Sequence, residues 1–133
     1  MSRTLSPTRS SARTAQLWPL LTDLVCVVAF AAGGKDAHDE SATWWVIGRI
    51  AWPYALACLV AHVVVWRRGW DPLRLRPAGV TVLATTYVLG MVLRVVSGRG
   101  IAVGFLVVAA IFLTATMLGW RLLSAAWRRR RTR

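Results

Sequence analysis

Four long apolar runs, separated by short blocks of arginine, constrain this chain more than any other feature. They cover residues 17–34, 45–66, 78–96 and 101–123. Each is roughly 18–23 residues, the length a helix needs to cross the hydrocarbon core of a bilayer. No water is available there to satisfy an open sheet edge, so runs of this length must close their own hydrogen bonds as helices. The fold class that follows is all-α: an integral membrane four-helix bundle of antiparallel, up-down topology.

The arginines set the expected orientation. Arg3, Arg9 and Arg13 precede the first run; Arg67, Arg68, Arg74 and Arg76 follow the second; Arg121, Arg128–Arg131 and Arg133 close the chain. The two other connections hold only Lys35, Arg49 and Arg99. The excess of positive charge on cytoplasmic loops predicts both termini inside, in the cell membrane. The tryptophans fall into two belts that agree: Trp18, Trp66, Trp70, Trp120 and Trp127 at one interface, Trp44, Trp45 and Trp52 at the other. The net charge of +12 would point to nucleic acid in a soluble chain. Here the charge sits in blocks between spans, with no folded basic surface, and nucleic acid is excluded. The 133 residues make one domain, with residues 1–16 a disordered basic lead and 124–133 a basic tail. The lead and first run resemble a secretory signal ending at Ala29-Phe30-Ala31, but Asp23 within the apolar stretch argues against cleavage.

Asp23 is the most informative residue. A carboxylate inside an apolar span is costly, so it should face the bundle and meet a partner. By helix rise it lies roughly 8 Å above the inner interface, and His62 on the second span about 6 Å. Cys26 and Cys58 match at roughly 12 Å. Asp23, Cys26 and Phe30 share one helix face, and Ala51, Ala55, Cys58 and His62 share another. Antiparallel packing would set Asp23 against His62, with Thr86 of the third span completing a polar layer. Three readings compete: a polar pair that fixes helix register, a proton relay, and a zinc or copper site built from Asp23, His62 and the two cysteines. The ligand spacing matches no known metal motif, and no metal or cofactor is expected.

The third span carries a stripe of Gly79, Thr86, Gly90, Arg94 and Ser97. Its small residues allow close approach of a neighbouring helix. Arg94 lies toward the outer end, where Asp36, Asp39 or Glu40 are its expected partners and snorkelling to headgroups is the simpler alternative. His38, Arg49 and Arg94 make a candidate outer site. A loop with acids and a histidine could hold a divalent ion, but a charge-balanced turn accounts for it as well. Gly100 and Gly104 form a GxxxG expected to seat the fourth helix on the third. Trp52 and Pro53 are further packing candidates, Pro53 as a kink. Gly48-Arg49-Ile50-Ala51 and Arg99-Gly100-Ile101-Ala102 faintly echo one another, a pattern that belt and charge rules alone can produce. Arg128, Arg129, Arg130 and Arg131 suit anionic lipid headgroups. The chain has no nucleophile elbow, phosphate loop or HExxH.

Taken together, several of these residues carry a family resemblance: Asp23, Phe30, Gly34-Lys35 with His38, Trp52-Pro53-Tyr54, Gly90-Met91-Val92-Leu93-Arg94, Gly98, Gly100, Phe105 and Gly119-Trp120-Arg121. The chain resembles the bacterial, mainly actinobacterial, membrane proteins grouped as domain of unknown function 3054. The likeness spans residues 22–122, with Lys35 where the family more often has arginine and Tyr54 where it more often has phenylalanine. His62 and the cysteines are not part of that pattern. The resemblance implies four helices and supplies no reaction. The expected function is a non-enzymatic structural or interaction component of the membrane, with homo-oligomerisation through small-residue faces. The alternative is a small proton- or ion-coupled transporter using Asp23 and Arg94; a membrane enzyme comes third.

Overall fold

The computed structural model describes residues 9–36 and 44–133. Helix α1 spans Arg9–Asp36 and α2 spans Trp44–Arg67. A wide turn, Leu75–Gly79, leads into α3, Val80–Val96. Helix α4, Val103–Leu113, passes through a second wide turn, Thr114–Leu118, into α5, Gly119–Arg131. Helices α4 and α5 form one span, so four helical stretches are long and apolar enough to cross a membrane: Arg13–Gly34, Trp44–Arg67, Leu75–Val96 and Val103–Arg131. No strand occurs among the described residues. Apolar residues along the outside, such as Val25, Val63, Val88, Val92, Val107 and Ile111, are exposed. A continuous apolar exterior is costly in water and free in lipid, as a multi-pass membrane protein requires.

The helices extend beyond the apolar runs. Residues 9–16, expected as a disordered lead, are helical, and the tail is helical to Arg131. Extending an existing helix costs far less than nucleating one, and arginine is a good helix former.

Helices α2 and α3 end in the same way. Gly69 (φ 66°) and Gly98 (φ 79°) adopt the left-handed conformation that suits glycine. Trp70 N–H donates to the Val65 carbonyl and Gly69 N–H to that of Trp66. Arg99 N–H and Gly98 N–H repeat the pair on Arg94 and Val95. This double closure satisfies carbonyls that a helix end otherwise leaves open.

Helix α2 is central, packed most extensively against α3 and α1. Its inward face is Ala51, Tyr54, Ala57, Cys58, Ala61, His62 and Val65. Gly90 is required by that packing: a Cβ there would overlap the Tyr54 ring, 2.8 Å from its Cε1. Tyr54 Oη then donates to Met91 Sδ at 3.3 Å. Phe30 stands edge-on to Tyr54 with centroids 5.3 Å apart. Phe30, Tyr54, Gly90 and Met91, four of the residues that carry the family resemblance, thus meet in one layer.

Two packing expectations fail. Gly100 and Gly104 have no atom within 4 Å of where a side chain would begin, so the GxxxG does not seat α4 on α3. Tyr87 Oη instead ties α3 to α4 by donating to the Leu106 carbonyl at 3.0 Å. Trp52 is 45% exposed and faces outward, while its neighbours Pro53 and Tyr54 are buried. A pattern of small residues permits close approach but does not create it, and adjacent residues on a helix point about 100° apart.

Candidate functional site: a buried carboxylate cluster

Asp23 is fully buried, and its carboxylate lies 2.8 Å from Nε2 of His62, also fully buried. The carboxylate only accepts, so Nε2 is the donor. The other donors come from α5. Arg121 grips the carboxylate with both ends of its guanidinium, Nη1 to Oδ1 at 2.9 Å and Nη2 to Oδ2 at 2.7 Å. Trp120 Nε1 donates to Oδ1 at 2.8 Å. Each oxygen accepts two hydrogen bonds, which fills the roughly four lone-pair positions a carboxylate offers.

Arg121 is in turn held at each of its three guanidinium nitrogens. Its Nε donates to the Pro72 carbonyl at 3.0 Å, and Nη1 also donates to the Met117 carbonyl at 2.8 Å. One guanidinium therefore joins α1, the α2–α3 loop and the turn before α5. Gly79 leaves room for it: a Cβ there would stand 2.9 Å from Arg121 Cδ and 3.2 Å from the Arg74 carbonyl. The Trp120 ring lies 4.4 Å from the guanidinium carbon. A bidentate arginine–carboxylate pair is among the strongest polar contacts, and both partners here are removed from solvent.

The wide turn Thr114–Leu118 sets which face of α5 meets Asp23. It holds an extra residue relative to an α-helical turn, which rotates everything beyond it by roughly 100°. Thr116 Oγ1 donates to the Phe112 carbonyl at 2.8 Å, satisfying an acceptor at this irregularity.

The other residues singled out from sequence fall in three places. Thr86 is buried on α3 with its hydroxyl against the Cys58 thiol, while His62 Nδ1 and Trp66 Nε1 have no hydrogen-bond partner among the described residues. Arg94 is at the opposite end of the bundle, with Nε donating to the Gly100 carbonyl at 3.3 Å and its guanidinium 4.0 Å above the Phe105 ring. Among the described side chains no carboxylate pairs with it; those of Asp36, His38, Asp39 and Glu40 lie outside them. Arg49 is exposed, as are Arg128, Arg129, Arg130 and Arg131. Cys26 and Cys58 are free thiols in the core. Among the described residues no three of His, Cys, Asp and Glu come together as a metal site would need.

Trp120 and Arg121 stood out in sequence only as part of the family resemblance, not as partners of Asp23. The belt and positive-inside rules already accounted for both, which hid their second role. The available signal was their place at the end of the last span, level with the shallow Asp23.

No curated protein and no solved structure matches the chain. A family model does match, over residues 20–124, a stretch that begins just before Asp23 and ends just after Arg121. The chain belongs to that family, whose description is Protein of unknown function (DUF3054).

Proposed function

We propose that this chain is a non-enzymatic component of the cell membrane, with the Asp23–Arg121 cluster acting as a structural clamp. One observation carries the reading: every acceptor position of the buried carboxylate is filled by a donor of the same chain. A relay group must exchange partners, whereas a saturated ion pair holds its geometry. The clamp fixes the register of three spans at one end of the bundle. That end also bears Arg67, Arg68, Arg74, Arg76 and the arginine tail, which supports a cytoplasmic placement of both termini. The tail arginines suit anionic headgroups there, each contributing about 1 kcal/mol near the surface. The weakly packed small-residue faces support self-association or a second membrane protein as partner.

A second reading, a proton- or ion-coupled transporter, is favoured by the unpartnered His62 Nδ1, since a buried polar atom without a partner can host water. Reconstituted vesicles separate the two. The clamp predicts no proton flux above empty vesicles from the wild-type chain, together with a large loss of thermal stability in Asp23→Asn. Flux from wild type that Asp23→Asn abolishes at unchanged stability would overturn the clamp. Crosslinking in the native membrane tests the interaction reading, and a clean monomer without partner would count against it.

A further inference from the structure

The end of the bundle opposite the clamp is hollow. A cavity of about 590 Å³ lies between the last turns of α1 and the first turns of α4. Its floor and sides are Phe30, Phe105, Val108 and Phe112. Among the described residues Arg94 alone brings a charge to its wall, at the level of the α3–α4 link. The volume is in the range of about 300–1,000 Å³ typical of ligand sites, and the lining has their usual form, apolar with a single polar anchor.

Glycines keep this space open. Gly33, Gly34, Gly100 and Gly104 line it, and a Cβ at any of them would meet nothing within 4 Å. None has positive φ. Neither backbone conformation nor a close neighbour requires glycine at these places, unlike at Gly79 and Gly90. Three of them lie within helices, where glycine is a poor former. What they share is the empty volume in front of them.

The opening faces outward, where Val103, Gly104 and Val108 are exposed on the apolar exterior. From Phe105 to Phe112 the slot runs about 10 Å along α4. Arg94 sits at its mouth with Nε on the Gly100 carbonyl and its face on Phe105, which orients the terminal nitrogens without using them on an acid of the described chain. A guanidinium held this way presents a bidentate donor pair suited to a phosphate.

We infer that this cavity binds an anionic phospholipid, with its phosphate on Arg94 and an acyl chain in the slot lined by Phe30, Phe105, Val108 and Phe112. Charge selects the headgroup and the apolar slot selects the chain. The site begins at Phe30, about 10 Å from Asp23 along α1, and shares no residue with the clamp.

Native mass spectrometry of the full chain in mild detergent, with equal phosphatidylglycerol and phosphatidylcholine, tests this. The wild-type chain should retain one phosphatidylglycerol in preference to phosphatidylcholine by roughly fivefold, the share one surface arginine contributes. Gly104→Leu should fill the slot, keep or raise the thermal midpoint and lose the lipid. Arg94→Gln should lose the preference between the two headgroups. A variant with the four tail arginines replaced by glutamine should lose the looser headgroup association of the tail and still retain the one phosphatidylglycerol that Gly104→Leu loses. Equal retention by wild type and both cavity variants would overturn the inference. So would loss in the tail variant alone, or displacement by glycerol phosphate lacking acyl chains, which would assign a soluble phosphate instead. Because the two cavity variants alter different walls, either decides the matter if the other fails to fold.

Discussion

Two arginines in this chain stand near the ends of spans, and they are used in opposite ways. Arg121 is buried and spends its donors on Asp23, Pro72 and Met117. Arg94 is half-buried and holds a backbone carbonyl and an aromatic face. Around Arg121 the chain is tight enough that Gly79 has no room for a methyl group. Around Arg94 four glycines face empty space. An arginine whose every guanidinium nitrogen is paired inside the fold contributes rigidity, and one left facing a cavity offers a site. Residue type alone does not distinguish these; the density of partners does.

The largest effect should come from unpairing the clamp. Arg121→Leu strands a buried carboxylate, and breaking one side of a buried ion pair costs about 3–5 kcal/mol. Thermal unfolding in detergent should give this variant a lower midpoint than the glycine, His62 or Arg94 variants. A midpoint near wild type would mean that Asp23 is solvated or re-paired, and the contrast between the two ends would collapse.

Next in size is the glycine contrast. Gly90→Ala drives a methyl into the Tyr54 ring, and overpacking of this kind costs about 1–3 kcal/mol. Gly33→Ala, at the open end, should be neutral or stabilising, because alanine favours the helix by about 0.8–1.0 kcal/mol over glycine. Equal destabilisation by both would show that the cavity is closed in the membrane. His62→Leu removes one donor from Asp23 and should cost about 1–3 kcal/mol, less than loss of Arg121 because three donors remain. The smallest effect belongs to Arg94→Gln, which removes a cation–π contact of about 0.5–1 kcal/mol. A stability loss there as large as that of Arg121→Leu would give Arg94 a structural role the geometry does not provide.

Much of this arrangement was legible in the sequence. The spans follow from hydropathy, since a bilayer-crossing helix leaves a long uninterrupted signal. The approach of Asp23 to His62 follows from matched depth on antiparallel helices. Gly90 was legible as a packing glycine, though its partner Tyr54 was not. The pairing of Arg121 with Asp23 was not legible because an end-of-span arginine is expected on topological grounds alone. Depth arithmetic also assumes an unbroken helix, and the wide turn at Thr114–Leu118 changes the phase of all that follows. The GxxxG at Gly100 and Gly104 misled for a related reason: the same spacing serves close packing or an open wall, and only the neighbouring helix decides which.

The central claim is that Asp23 and Arg121 form one energetic unit, and a double-mutant cycle measures it most directly. Thermal or denaturant unfolding of wild type, Asp23→Leu, Arg121→Leu and the double variant gives the coupling. The clamp predicts two strongly destabilised single variants and a double variant that recovers most of the loss, since an apolar pair leaves no buried charge unpaired. Additive losses in the double variant would contradict it, because residues that add act independently.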